Sequence, residues 1–199
     1  MVCIYKLNMF VLVIINLTLV VKVSCVNPGT SWNIDSAYAA VNMEGNVVVW
    51  GDNSMGGDAS GVPNGLNNVQ SIISTKGAWA ALKSDGSVVS FGSPSFGGTG
   101  MPNGLSNVKT LFANYYAFCA LKFDRKVVCW GDTNKGGSGV PPDLNNVQNI
   151  YSNLECFCAV ISSGTVRCWG SDANGGTVPN GLDSVQRIYS SKYAFAAIK

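Results

Sequence analysis

The chain contains no histidine, and only 12% of its 199 residues are charged. Histidine is the commonest general base at neutral pH and the commonest metal ligand, so its absence removes the simplest routes to acid–base catalysis and to a zinc centre. An excess of one charge is missing too. Thirteen basic side chains, less Lys6 and Lys22 in the leading segment, leave eleven to set against eleven acidic ones. A balanced surface provides no field toward nucleic acid or an anionic membrane. The one Asn-x-Ser/Thr acceptor, Asn16, also lies in the leading segment, so no N-glycan is expected beyond it. Helical periodicity is absent from residue 26 onward.

A long hydrophobic run occurs once. Lys6 precedes an apolar stretch from Leu7 to Val21, and Val23-Ser24-Cys25 supplies small residues at its end. The stretch is short for a membrane span, which needs roughly 20 apolar residues. Residues 1–25 therefore read as a secretory signal peptide cleaved after Cys25. Residues 26–199 remain as a single domain, secreted and free of the membrane.

What this domain has in abundance is itself. Aligned on an aromatic residue, Tyr38, Trp79, Phe118, Phe157 and Phe195 mark units spaced 41, 39, 39 and 38 residues apart, starting near residues 37, 78, 117, 156 and 194. Each unit repeats one order of parts. An apolar strand such as Ala78 to Lys83 meets a Ser84-Asp85-Gly86 turn, and a second strand ends in an aromatic-Gly pair (Trp50-Gly51, Phe91-Gly92, Trp130-Gly131, Trp169-Gly170). A Gly-rich loop and a third strand such as Val69 to Ser74 complete the unit. Short β-branched and aromatic runs between Gly, Pro, Asn and Asp are strand and turn signals. The loops from Asp52, Ser93, Asp132 and Ser171 to the following leucine hold 15, 13, 13 and 12 residues, so the drift in period lies wholly in them. The strands are apolar on both faces, Trp79 and Ala81 on one and Ala80 and Leu82 on the other. Such a sheet must be covered twice. The expected fold is all-β: a partial β-propeller of about four blades, either open or part of a larger ring.

The order of apolar strand, Asp-Gly turn, aromatic-Gly, Gly-Gly loop and Val-Pro-x-Gly-Leu resembles the repeats of the regulator of chromosome condensation superfamily. It is most similar to the short-repeat secreted branch that includes the propeller-type β-lactamase inhibitor. The resemblance covers essentially all of residues 26–199 and implies a ring of about seven blades. The units here are shorter than those of the nuclear members and lack their Gly-His-Ser. That departure argues against nucleotide exchange on a small GTPase.

Five cysteines lie beyond the leading segment: Cys119, Cys129, Cys156, Cys158 and Cys168. Cys119 and Cys129 occupy the repeat positions of Cys158 and Cys168, and units without one lack the other. A three-residue hairpin loop sets Cys119 opposite Cys129 and Cys158 opposite Cys168, whereas a two-residue loop would put the partners on opposite faces. Two cross-strand disulfides within hairpins are expected, in an oxidising compartment. Cys156 is left over, where the other units have Ala. It reads as a reactive or intermolecular thiol, as a buried small residue, or as an alternative partner of Cys119. The hairpin register explains Cys158 and Cys168 better than a metal cluster does, so no metal site is expected.

The Asp/Asn-rich loops at Asp52, Asp132 and Asp172 carry hard oxygen ligands suited to weak calcium binding. Asp and Asn also favour such loops by bonding nearby backbone, and the Ser93-Pro94-Ser95 loop does without them. The structural role is the better account, and no cofactor is expected. Trp50, Trp130 and Trp169 recur at a strand end and exchange with Phe91, which marks core residues rather than a carbohydrate platform. Carboxylates recur with the repeat and form no asymmetric catalytic constellation, so no enzyme is expected. Arg125 replaces the turn glycine and should cost around 1 kcal/mol if that site is left-handed.

Variation between units is concentrated just ahead of each aromatic strand, at Lys76-Gly77, Tyr115-Tyr116, Leu154-Glu155 and Lys192-Tyr193. In a propeller these pairs lie side by side on one face, where different side chains on a common scaffold suit recognition of another protein. The sequence thus predicts a non-catalytic module binding an extracellular protein, and the resemblance to the secreted branch implies an inhibitor-like role. The alternatives are a matrix component that self-associates through open edges and, more remotely, a lectin.

Overall fold

A computed structural model describes residues 37–199, so the leading segment and its cleavage lie outside the described residues. The described residues form five small antiparallel sheets. The first is a hairpin of β1 (Ala37–Val41) and β2 (Val47–Gly51). Three three-stranded meanders follow: β3 (Val69–Ser74), β4 (Ala78–Lys83) and β5 (Val88–Gly92); β6 (Val108–Ala113), β7 (Ala117–Lys122) and β8 (Val127–Gly131); β9 (Val147–Ser152), β10 (Cys156–Ile161) and β11 (Val166–Gly170). The last pair is β12 (Arg187–Ser190) with β13 (Phe195–Ile198). The run is open: the first and last sheets do not join.

Each hairpin has the expected register. In the second sheet Lys83 N–H donates to the Ser87 carbonyl across the Asp-Gly turn, and Trp79 pairs with Phe91. The same offset sets Cys119 against Cys129 and Cys158 against Cys168. Both pairs are disulfides, with Cα separations of 4.1 and 4.0 Å. Counting from the turn, both sites are non-hydrogen-bonded pairs, where facing Cα atoms approach most closely.

The core lies between the sheets. Ala78, Ala80 and Leu82 of β4 pack with Leu111, Phe118, Ala120 and Trp130 of the next sheet. Trp79 and Ala81, on the opposite face of the same strand, pack with Val41 and Val49 of the preceding one. Strands apolar on both faces are therefore covered twice, as blades stacked face to face require. Backbone hydrogen bonds join the blades at the turn end: Val69 N–H donates to the Gly45 carbonyl, Val108 to Gly86, Val147 to Arg125 and Val185 to Gly164.

The Gly-rich loops hold a feature not foreseen, a 3-10 turn directly after each outer strand (Asn53–Met55, Pro94–Phe96, Thr133–Lys135, Asp172–Asn174), with a second turn, Ala59–Gly61, in the first and longest loop. The turn closes on a glycine at positive φ: Gly56, Gly97, Gly136 or Gly175. The Gly56, Gly97 and Gly136 carbonyls each accept an indole N–H, from Trp79, Trp130 and Trp169 respectively. Trp79 stands on the middle strand and the other two on the outer strand, yet all three reach the equivalent carbonyl. Exchanging Trp and Phe within the aromatic pair of one blade conserves the bond between blades. Trp130 and Trp169 are core residues as expected, but Trp50 is 49% exposed because no described blade precedes it.

Candidate functional site

The four variable pairs occupy the loops joining the first and second strands of successive blades. They are brought together by a backbone ladder: Lys76 N–H donates to the Tyr115 carbonyl, Tyr115 to Leu154 and Leu154 to Lys192, at 3.0 to 3.2 Å. Neighbouring loops are thus held at hydrogen-bonding distance over four blades.

A buried polar side chain fixes each loop from below. Asn114 is fully buried; its Oδ1 accepts from the Tyr116 and Ala117 amides at 2.8 and 2.7 Å, and its Nδ2 donates to the Lys135 carbonyl at 2.6 Å. Asn153 repeats the arrangement with Glu155, Cys156 and the Asn174 carbonyl. In the second blade Thr75 Oγ1 accepts from Ala78 and donates to the Phe96 carbonyl. Each clamp ties its loop to the last residue of the 3-10 turn in the same blade. That residue (Phe96, Lys135 or Asn174) varies as freely as the pairs do and forms a second row beside them. Its signal was present in the sequence, as the position immediately before each Gly-Gly, at which no two units agree.

The two rows interlock. Phe96 stacks on Tyr116 with centroids 5.8 Å apart and meets Tyr115 edge-on at 6.4 Å. Lys76 Nζ lies 5.4 Å from the Tyr115 ring and 5.6 Å from Phe96, and Lys135 Nζ lies 5.8 Å from Tyr116. Such cation–π contacts contribute about 0.5–1 kcal/mol each where exposed. Lys135 also pairs with Glu155 Oε2, which accepts a further bond from Asn174 Nδ2 at 2.7 Å. Burial alone would raise the Glu155 pKa, but the hydrogen bonds from Lys135 and Asn174 outweigh it and bring it below the ordinary 4.5. The bond to Glu155 raises Lys135 above its usual value. Half-buried aromatic, cationic and anionic groups thus alternate from Lys76 to Asn174. Lys192 and Tyr193 continue the row in the last sheet, exposed, with Lys192 Nζ 5.0 Å from the Tyr193 ring.

One of the eight expected positions is not a surface residue. Gly77 is buried, and a Cβ there would stand 2.9 Å from the Phe96 ring. Its role is to admit Phe96 beside the tyrosines.

The remaining chemistry is structural. Asp52 and Asp132 accept the Ser54 and Asn134 amides at 2.8 Å and cap their 3-10 turns. Cys156 is fully buried, its Sγ faces the Ser171 carbonyl at 3.1 Å, and burial pushes its pKa up to about 11. The thiolate is the reactive form, so this thiol is inert near neutrality.

No family model matches the sequence, and no curated protein does. Solved structures do match. The ectodomain of the receptor kinase CR4 from Physcomitrella patens superposes with a TM-score of 0.61 at 20% identity, over 81% of this chain and 46% of that one. Human WBSCR16 matches with a TM-score of 0.57 at 18% identity, over 82% and 57%. Prp20p of Saccharomyces cerevisiae, the yeast RCC1, matches with a TM-score of 0.54 at 19% identity, over 82% and 48%. The fold is an open run of β-propeller blades. Prp20p among the matches agrees with the superfamily that the repeats resemble, at the level of fold. The chain spans about half the length of these structures.

Proposed function

We propose that this chain is a secreted, non-catalytic binding module that recognises another extracellular protein through the ladder of loops from Lys76 to Tyr193. The observation that carries the reading is the composition of that ladder. Its backbone geometry repeats from blade to blade, while its side chains change from Lys-Gly to Tyr-Tyr, Leu-Glu and Lys-Tyr. A rigid frame carrying unlike side chains lowers the entropy cost of binding, and clustered aromatic and cationic groups are favoured at interface centres. Two disulfides and the leading apolar segment support an extracellular location.

The test is capture of interacting protein from the extracellular fluid of the source, using the natural secreted form and the Tyr115→Ser/Tyr116→Ser variant. Phe123→Ser, on a hairpin turn away from the ladder, serves as control. A partner retained by the natural form and the control, and released by the tyrosine variant, is the expected result. Equal retention by all three would place recognition elsewhere and defeat the reading.

A further inference from the structure

Each Gly-rich loop ends in a tight turn ahead of the leucine that enters the core. In three of the loops that turn is Pro-Asn-Gly-Leu: Pro63 to Leu66, Pro102 to Leu105 and Pro179 to Leu182. The asparagine and the glycine are exposed in all three. The loops of Asn64 and Asn103 each run between two described sheets, so their exposure belongs to the array and not to its ends. The Leu66 and Leu105 amides close their turns on the Pro63 and Pro102 carbonyls, and Gly65, Gly104 and Gly181 have φ of +72° to +76°. Among the described residues, neither these asparagine side chains nor the N–H groups of the glycines after them make a hydrogen bond.

A fourth Asn-Gly pair, Asn174-Gly175, has the same chemistry in a different setting. Both residues are half-buried. Asn174 Nδ2 donates to Glu155 Oε2 at 2.7 Å and to Ser171 Oγ at 3.3 Å, and Gly175 N–H donates to the Asp172 carbonyl at 3.4 Å. The remaining loop carries Pro142-Asp143 where the others have Asn-Gly. The Asp143 carboxylate pairs with Arg167 of the following blade at 3.1 Å. The equivalents of Arg167 beside the Asn64 and Asn103 turns are Val89 and Val128, which bring no charge.

We infer that Asn64, Asn103 and Asn180 are sites of intramolecular deamidation, with water as the only co-reactant, and that the fold withholds Asn174 from it. The glycine nitrogen gives up its proton and attacks the asparagine Cγ. The Cγ–Nδ2 bond breaks, ammonia leaves with that proton, and a five-membered succinimide closes. Water then opens one of its two carbonyls, giving aspartate or the isomer linked through its side chain. Glycine has no side chain to shield the attacking nitrogen, and an exposed loop tip opens at little cost in free energy. At Asn174 the leaving amide and the attacking N–H are both engaged, and the pair is packed into the clamped loop. Each conversion turns a neutral amide into a carboxylate, so a chain with balanced charge beyond residue 25 becomes acidic as it ages. At Asn64 and Asn103 no arginine stands ready to pair with the new charge. The inference is independent of the loop ladder, so failure of either proposal leaves the other standing.

The test is peptide mass mapping of the purified chain, sampled over time in mildly alkaline buffer. A second sample, unfolded in guanidinium with its disulfides reduced, is followed in parallel. In the folded chain the peptides holding Asn64, Asn103 and Asn180 should each gain one mass unit, as –OH replaces –NH2, while the Asn174 peptide stays unchanged. Isoelectric focusing should show matching stepwise acidic shifts. Unfolding should remove the protection, so that all four sites convert. Gly104→Ala, whose added Cβ meets nothing within 4 Å, hinders the attacking nitrogen. Its conversion at Asn103 should be lost while Asn64 converts as before. A folded chain that keeps all four amides while the unfolded one loses them would overturn the inference. So would conversion of Asn174 in the folded chain at the rate of the other three.

Discussion

At the scale of single residues, the repeat makes exceptions easy to see. Arg125 has φ +63°, where the equivalent Gly45, Gly86 and Gly164 have +77° to +80°. A side chain there is disfavoured by about 1 kcal/mol. Arg125→Gly should relieve that strain, partly offset by the more flexible unfolded chain, and raise the melting temperature by about 2 °C. Arg125→Ala, which keeps a Cβ, should give no such rise in the same calorimetric scan. Glu155 provides a pH dependence. Its folded pKa lies below 4.5, so its stabilisation is fully present above that value and is lost as pH falls through the depressed one. Lys135 is displaced the other way, and its contribution is full below 10.5 and fades at higher pH. Glu155→Gln should lower the urea midpoint near neutrality, with the difference from the natural chain closing as pH falls through the depressed Glu155 pKa.

At the scale of the element, the unit of organisation is loop plus 3-10 turn, clamped by one side chain. Asn114→Ala would leave the Tyr116 and Ala117 amides and the Lys135 carbonyl without their partner, costing about 3 kcal/mol. Urea denaturation measures the cost, and faster amide exchange at Tyr116 and Ala117 would locate it in the loop. The strands and hairpins were legible in the sequence because short β-branched and aromatic runs end at recurring turn residues, and a three-residue turn leaves the hairpin one register. The disulfides followed from that register. The clamps did not: Thr75 stands where the next two blades have Asn114 and Asn153, and their partners lie 21 residues further along the chain. Only folding shows that one carbonyl position recurs there.

At the scale of the whole molecule, stability comes from contacts between neighbouring blades, so a fault at one interface should be felt more than an equal fault on a loop. Gly136 and Gly139 allow the comparison. Both have positive φ, but a Cβ on Gly136 would stand 2.7 Å from the Phe157 ring, whereas one on Gly139 meets nothing within 4 Å. Gly139→Ala should cost only the backbone strain, about 1 kcal/mol. Gly136→Ala should cost roughly 2–4 kcal/mol by adding a steric clash at the blade interface. Chemical denaturation of the two variants side by side checks the difference.

The sequence by itself determined what repeats: the five units, their strands and turns, the cysteine pairing, and the placing of variation at Lys76, Tyr115, Leu154 and Lys192. Each of these is a local or periodic property, and the period supplies an internal alignment. The tertiary structure decided what the repeats do to one another. It buried Gly77 to seat Phe96 and joined Lys135 to Glu155 across neighbouring blades. It also sent three indoles from unlike strand positions to equivalent glycine carbonyls. Those contacts join residues 19 to 33 apart in different elements. Their geometry is set by how one twisted sheet lies on the next, a quantity that no single unit contains.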